Sequence, residues 1–276
     1  IDVAILTGDE ALEASTLANF HYANALVAAY NDYMIETWLP RDRRFKGSII
    51  VSPTDPHGAA AEIRRLGGHE DIVQVLASHG SQRPYGDSFY HPIYEACAEV
   101  GLPFAIHLGG QGGVNHNAIA SGPTTYYWET HALLCQPAMT HVASMIANGV
   151  FETFPDLHFV VIECGVSWVP ALMWRLDANF KALRKETPWL KLLPSEYCRR
   201  NIRFSTQPLE LLDVAEAPRV QVLRDDRDAV GDRQQQGIRA GPAPDAVLVD
   251  AARADAAILN DRVLHFESIL VSKAGS

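Results

Sequence analysis

Short apolar runs recur along the chain, and longer stretches with helical periodicity separate them. The six runs are Val3–Leu6, Ser48–Val51, Ile72–Leu76, Phe104–Ile106, Phe159–Ile162 and Ile202–Phe204. Runs of this length, rich in β-branched residues, are typical of the buried strands of a parallel sheet. Strand alternating with helix through six units therefore predicts an α/β fold with βαβ crossovers.

The stretches between the runs carry helix start and stop signals. Asp55-Pro56 places a proline near a helix start, and Gly101 and Gly149 stand where a helix would end. These signals, with the spacing of apolar residues, predict five helices. They are Asn19–Trp38, Ala59–Leu66, Ile93–Val100, Ala138–Asn148 and Pro170–Leu183.

Two of the apolar runs stop at a residue that can hold a metal or a proton. His107 follows Phe104–Ile106, Glu163 follows Phe159–Ile162, and glycines come soon after each. In α/β folds, chemistry is placed just past the carboxyl ends of the strands. If both strands point the same way, His107 and Glu163 lie on one rim of the sheet. They are the main candidate site residues.

Each candidate also has a purely structural interpretation. A buried His107 could simply bond a backbone carbonyl, although the glycines from Gly109 onward would let the backbone approach a ligand closely. Glu163 at the end of an apolar strand needs a partner, and a salt bridge to Arg175 or Arg203 would supply one without catalysis.

Further candidates stand near the same rim. His79 follows the Ile72–Leu76 run and is a third residue that could line a pocket. Cys164 could be a nucleophile with a histidine as its base, which predicts inactivation by thiol reagents, or a small buried apolar residue. Three other histidines fall in predicted loop or helix, where they could be surface residues: His116, His131 and His141.

Composition narrows the class of protein. A formal net charge of −10 and a pI near 5.5 disfavour nucleic acid as a partner. No apolar stretch approaches the roughly 20 residues of a membrane helix, and no basic segment precedes an apolar one at the start. The four cysteines lie far apart, as in a protein with reduced thiols. A cytoplasmic enzyme with a small-molecule substrate and no membrane or nucleic-acid partner is expected. Nucleotide-binding glycine motifs are absent from the sequence.

The character of the sequence changes near Leu211. Every Trp and Tyr precedes that point, and Phe266 is the one Phe that follows it. A segment with so few aromatic residues has little material for a packed core. We therefore predict a barrel core over residues 1–210 and a divergent or out-of-frame, poorly structured tail over residues 211–276.

Several blocks of sequence, in order, resemble the amidohydrolase-related family, the branch of the amidohydrolase superfamily that includes aminocarboxymuconate-semialdehyde decarboxylase. The blocks are Arg44–Val51 with Asp55-Pro56, Pro92–Ala96, Leu102–His107, Gly149–Glu152, Phe154–Leu157 and Trp174–Asp177. The resemblance implies a (β/α)8 TIM-type barrel with a divalent metal, usually zinc, at the carboxyl ends of its strands. The family takes its ligands from a His-x-His on strand 1, a His on strand 5 and an Asp on strand 8.

By this pattern Val3–Leu6 is strand 2, His107 is the strand 5 ligand and Ile202–Phe204 is strand 7. The barrel is then incomplete, with strands 1 and 8 missing or replaced, and the other three ligands have no match. Val3–Leu6 and Ile202–Phe204 would be exposed edges, unless Ala246–Val249, ending at Asp250, supplies a substitute strand. Decarboxylases of the family place a His where this chain has Cys164, one residue after Glu163. A fragment that leaves the native frame after about Glu210 would explain these departures.

The resemblance implies a metal-dependent hydrolase or non-oxidative decarboxylase (carboxy-lyase) for a small carboxylated or cyclic substrate. His107 would hold the metal, and Glu163 would act as general acid or base or orient another ligand. The alternative is a catalytically silent fragment or binding module without a complete metal site. Dimers are common among such barrels, so a homo-oligomer is also an open expectation.

Overall fold

A computed structural model describes residues 2–109, 124–205 and 207, together with the backbone of residues 270–271. The described strands form one sheet in the order β6-β5-β4-β3-β2-β1-β7. They are β1 (Ala4–Leu6), β2 (Phe45–Ile50), β3 (Ile72–Ser78), β4 (Phe104–His107), β5 (Phe159–Ile162), β6 (Ile202–Phe204) and β7 (Leu270–Val271). Strands β1 to β6 are parallel, which confirms the predicted α/β fold.

Helices connect the parallel strands, as the alternation in sequence predicts. They are α1 (Asp9–Ala14), α2 (Phe20–Tyr33), α3 (Pro56–Leu66), α4 (His91–Val100), α5 (Tyr127–Leu133), α6 (Cys135–Ala147), α7 (Val150–Thr153), α8 (Trp168–Ala182) and α9 (Pro194–Asn201). Helix α2 continues as a π-helical turn over Met34–Trp38 and a 3-10 turn over Leu39–Arg41, and Ser88–Tyr90 forms a 3-10 turn before α4. No described helix is both long and apolar enough to cross a membrane.

Local side-chain and backbone chemistry sets the helix ends. Asn19 and Asp55 each accept a backbone N–H of the first helical turn, from Tyr22 at 3.1 Å and from Gly58 at 3.1 Å. Gly101 has φ 73°, the left-handed conformation that commonly ends a helix. The five predicted helices are therefore present, with ends shifted by a few residues.

Alternate positions of the strands face two different clusters. On the outer face, residues such as Ile49, Val75, Phe104 and Phe159 pack with helix residues from α3, α4, α6 and α8. On the inner face, strand residues pack with three buried residues of α1 and α2, which are Ala11, Leu12 and Val27. This inner cluster contains Ile50, Leu76, Ala105 and Ile162 with Leu12 and Val27. Apolar side chains on both faces explain why the strands appear as continuous apolar runs.

The sheet has the curled form of an incomplete (β/α)8 barrel, as the resemblance implies. The expectation that the first strand is an exposed edge is wrong, because β1 pairs antiparallel with β7: Ala4 faces Val271 and Ile5 faces Leu270. The substitute strand expected at Ala246–Val249 lies outside the described residues. So does most of the segment 211–276, whose predicted character and boundary stay predictions.

Candidate functional site

The register of the sheet brings three strand ends to one rim. His107 of β4 is opposite Ser78 of β3 on one side and Ile162 of β5 on the other. His79 and Glu163, which directly follow Ser78 and Ile162, therefore leave the sheet beside His107. The predicted common rim is present.

His107 is 3% exposed and its two ring nitrogens have different surroundings. Nδ1 lies 2.7 Å from the carbonyl oxygen of Leu108, which can only accept, so Nδ1 carries a proton. The neutral ring then has its lone pair on Nε2, the tautomer that a histidine metal ligand needs. Nε2 lies 2.9 Å from Oε2 of Glu163, off the direction of a well-aligned hydrogen bond.

An uncommon backbone conformation sets the direction of the Glu163 side chain. Its φ is 57°, and within the part of the chain that the structure describes no other residue except glycine has a positive φ. Its backbone N–H donates to Oγ of Ser205, just past β6, at 2.8 Å. The side chain is 18% exposed, so the carboxylate lies between His107 and solvent. A residue held in this region of backbone space at a strand end is a frequent mark of a functional site.

The salt bridges considered for Glu163 are not the ones that form. Its carboxylate instead contacts His107, with Oε2 2.9 Å from Nε2. The Nη1 group of Arg203 instead donates to the carbonyl oxygens of Arg199 and Ile202. Arg175 lies exposed on α8.

His79 is buried and connects the ends of β3 and β4. Its Nδ1 accepts the backbone N–H of Gly109 at 2.9 Å, and its own backbone N–H donates to the carbonyl of His107 at 2.7 Å. Because Nδ1 accepts, the neutral ring carries its proton on Nε2. His79 is thus brought to the rim, but in the opposite tautomer from His107.

His141 of α6 supports this arrangement from the outer side. Its Nδ1 accepts from the backbone N–H of Tyr85 at 3.2 Å, and its Nε2 bonds the carbonyl of His79 at 2.7 Å. The expectation that His141 is a surface residue is therefore wrong, since both ring nitrogens are used in the core. His131 is half-buried, and His116 lies outside the described residues.

Gly109 lies close to the carboxylate of Glu13, which was not a candidate from the sequence. Its φ of 143° is one that residues with a side chain rarely adopt, and a Cβ there would lie 3.2 Å from Oε1 of Glu13 on α1. The hydroxyl of Ser78 and the backbone N–H of Gly80 both donate to the carbonyl oxygen of Gly109. Glu13 lies in the last turn of α1, seven residues after the end of β1, so no strand end marks it in the sequence. The glycines after Gly109 lie outside the described residues.

Cys164 does not have the surroundings of a nucleophile. Burial, together with the nearby Cys135 and Glu163, raises the pKa of its thiol to about 12. Its Sγ donates to the carbonyl oxygen of Ile162 at 3.3 Å. A thiol in this environment stays protonated near neutral pH, which disfavours the cysteine-hydrolase alternative.

The donor set of the described residues is short of a complete metal site. His107 and Glu163 offer one nitrogen and one carboxylate on the same rim, in a tautomer that suits a metal. Within residues 2–109 and 124–205, however, no group of three or more His, Cys, Asp or Glu side chains could hold an ion. Protein zinc sites use three or four protein ligands. His107 therefore fits as one ligand of a metal centre, and the carboxylate of Glu163 lies beside it.

A comparison with protein-family models decides the relationship, because the amidohydrolase family model matches residues 8–265. The chain belongs to the amidohydrolase family. The matched span includes every rim residue described above and runs past residue 210. The resemblance noted in the sequence is thereby confirmed.

Several characterised relatives of this family member are decarboxylases. The chain is 28% identical over 158 residues to gamma-resorcylate decarboxylase of Rhodococcus jostii strain RHA1, covering 53% of this chain and 47% of the relative. It is 28% identical to 5-carboxyvanillate decarboxylase of Sphingomonas paucimobilis, with a TM-score of 0.56, covering 73% of this chain and 59% of that one.

A third relative contains a metal. A 5-carboxyvanillate decarboxylase of Novosphingobium aromaticivorans, solved with bound manganese, has a TM-score of 0.60 at 23% identity. That match covers 74% of this chain and 59% of the other. The chain thus spans about half the length of the curated relative it matches, and somewhat more of the solved structures.

Proposed function

We propose that this chain is the major part of a metal-dependent, non-oxidative decarboxylase whose substrate is a carboxylated aromatic compound. The observation that carries the proposal is the contact between His107 Nε2 and Glu163 Oε2, 2.9 Å apart at the carboxyl ends of adjacent strands. Membership of the amidohydrolase family and the decarboxylase relatives support it.

In this proposal His107 is a metal ligand through Nε2. The Leu108 carbonyl holds the proton on Nδ1, which keeps the Nε2 lone pair available and fixes the ring orientation. A divalent metal supplies positive charge that polarises the oxygens of a bound carboxylated substrate. Zinc is the metal expected from the sequence, and manganese is present in a solved relative.

In this proposal Glu163 is the proton donor. Decarboxylation breaks the bond between the ring carbon and the carboxyl group, carbon dioxide leaves, and the electron pair left on the ring takes up a proton. A carboxyl group that is partly exposed can deliver that proton and recover it from water. Glu163 is the described group best placed for this role, because it lies beside His107 while Cys164, at the position of the family histidine, is buried and protonated.

Glu163→Gln tests this assignment. It keeps the shape of the side chain and removes the proton, so turnover of gamma-resorcylate or 5-carboxyvanillate should fall by roughly 100-fold or more. Metal content should be largely kept, because His107 is unchanged. Carbon dioxide release by the metal-loaded protein is the measurement.

Glu186→Gln is the control for that experiment. Glu186 is exposed and follows α8, so it lies away from the rim where α8 begins. The control should keep full turnover. Equal turnover in wild type and Glu163→Gln would remove Glu163 from the mechanism.

The second candidate is a catalytically silent fragment or binding module. It is favoured by one observation, that the described residues contain no group of three or more metal donors. The two candidates differ in metal binding, since a silent module has no reason to hold a metal through His107.

A further inference from the structure

The orientation of Glu163 departs from the alternation of its own strand. Along β5, Phe159 and Val161 belong to the outer cluster, whereas Ile162 belongs to the inner one. A regular strand would therefore turn Glu163 to the outer face. Instead its carboxylate contacts His107, which is two residues beyond the inner-face residue Ala105. The positive φ of Glu163 is what redirects its side chain to the inner face.

The segment after β6 holds this backbone turn. Oγ of Ser205 accepts the N–H of Glu163 at 2.8 Å, and the backbone N–H of Ser205 donates to the carbonyl of Val161 at 2.9 Å. One residue beyond Cys164, the N–H of Gly165 donates to the carbonyl of Gln207 at 3.1 Å. Of these three bonds, only the one from Glu163 to Ser205 uses a side chain.

We propose that Ser205 is a positioning residue that fixes Glu163 against His107. Its hydroxyl oxygen accepts a hydrogen bond from the N–H of Glu163 and so stabilises the left-handed backbone conformation over an extended one. The inference rests on the proposed function, because it gives Ser205 a role in turnover through Glu163. The inference assigns a function to the end of β6, which has no other candidate residue in the described part of the chain.

The test compares Ser205→Ala with Ser205→Thr. The alanine variant removes the acceptor, and the threonine variant keeps an Oγ at the same position. Because a misplacement of about 1 Å can lower turnover by roughly 100-fold, Ser205→Ala should lose about that factor in kcat with little change in KM. Ser205→Thr should recover most of kcat.

A matched control removes a similar serine hydroxyl elsewhere. Ser144 of α6 is also half-buried, and its Oγ accepts the backbone N–H of Gly86 at 3.2 Å. Ser144→Ala should lower thermal stability about as much as Ser205→Ala without changing kcat. A fall in kcat that is equal in the two alanine variants would show a general structural effect and overturn the proposal. Full kcat in Ser205→Ala would overturn it as well.

Crystal structures of the two Ser205 variants separate this inference from the proposed function. In Ser205→Ala, the φ of Glu163 should become negative. The distance between Glu163 Oε2 and His107 Nε2 should exceed about 4 Å, which is longer than a hydrogen bond. In Ser205→Thr both should stay as in wild type. An unchanged Glu163 in Ser205→Ala would refute the positioning role even if wild type turns over the substrates. If wild type does not turn them over, the proposed function fails, and these structures alone decide the role of Ser205.

Discussion

Glu163 combines an unfavourable backbone conformation with the most informative contact of the molecule. A left-handed conformation costs a residue with a side chain about 1–2 kcal/mol relative to glycine. The chain keeps glutamate there all the same, with its carboxylate 2.9 Å from His107. This is the pattern expected where local strain serves function.

A pair of substitutions isolates the cost of that backbone conformation. Both Glu163→Gly and Glu163→Ala remove the carboxylate, and only glycine adopts φ 57° freely. The glycine variant should therefore be more stable than the alanine variant by about 1 kcal/mol, measured by urea unfolding. At an ordinary helical position the order is reversed. Alanine as the more stable variant would mean that the backbone of Glu163 carries no strain.

Residue-level prediction from sequence was possible where strand ends were visible, and the roles of these residues stay predictions. His107 and Glu163 stand out because each ends an apolar run, and the structure places them in contact. Glu13 and Ser205 could not be found in this way, because their relation to the rim depends on how α1 and the segment after β6 lie in three dimensions. His141 was misassigned since helical position alone does not show which face is buried.

At the scale of elements, helix α2 completes the hydrogen bonding of β2 with a side chain. The buried amide of Asn31 donates to the carbonyl of Ile50 at 3.0 Å and accepts its N–H at 2.9 Å. Strand β1 pairs with β2 only as far as Gly47, so this part of β2 has no backbone partner on that side. Asn31 substitutes for the missing strand residue.

Asn31→Ala should destabilise the protein by about 3 kcal/mol, because it leaves two buried backbone groups of Ile50 unsatisfied. Asn24→Ala on the same helix is the comparison. Asn24 is half-buried and its amide makes one bond to Asp55, at 2.7 Å, so its loss should cost less than half as much. Chemical denaturation of the two variants measures the difference. Equal losses would show that the pairing with Ile50 is not what stabilises this junction.

The elements themselves were largely predictable, and the exceptions have physical causes. Apolar periodicity and capping residues located strands β1 to β6 and five of the nine described helices to within a few residues. The shorter helices α1, α5, α7 and α9 were not predicted. The π-helical turn at Met34–Trp38 was not predicted, because a change from one hydrogen-bond register to the next leaves the apolar pattern almost unaltered. The pairing of β7 with β1 joins residues far apart in sequence, which local patterns do not report.

At the scale of the whole molecule, six parallel strands of an incomplete barrel bring His107 and Glu163 to one rim, where we propose a metal-dependent active site. The family and the parallel architecture are shown by the match over residues 8–265 and by the sheet. Of the expected metal ligands, the described residues contain His107, with Glu163 beside it. A metal centre of this family draws its ligands from several strands, and His107 is the one residue of this sequence that matches the family pattern.

The central claim, that His107 belongs to a working metal centre, is tested most directly by metal binding. Purified protein is stripped with a chelator, titrated with Mn²⁺ or Zn²⁺ in a calorimeter, and compared with His107→Ala. The exposed His158, just before β5, supplies the control variant His158→Ala. We expect about one equivalent of metal in wild type and in His158→Ala, and binding at least tenfold weaker in His107→Ala. Wild-type protein that binds no metal, or His107→Ala that binds it equally well, would contradict the account.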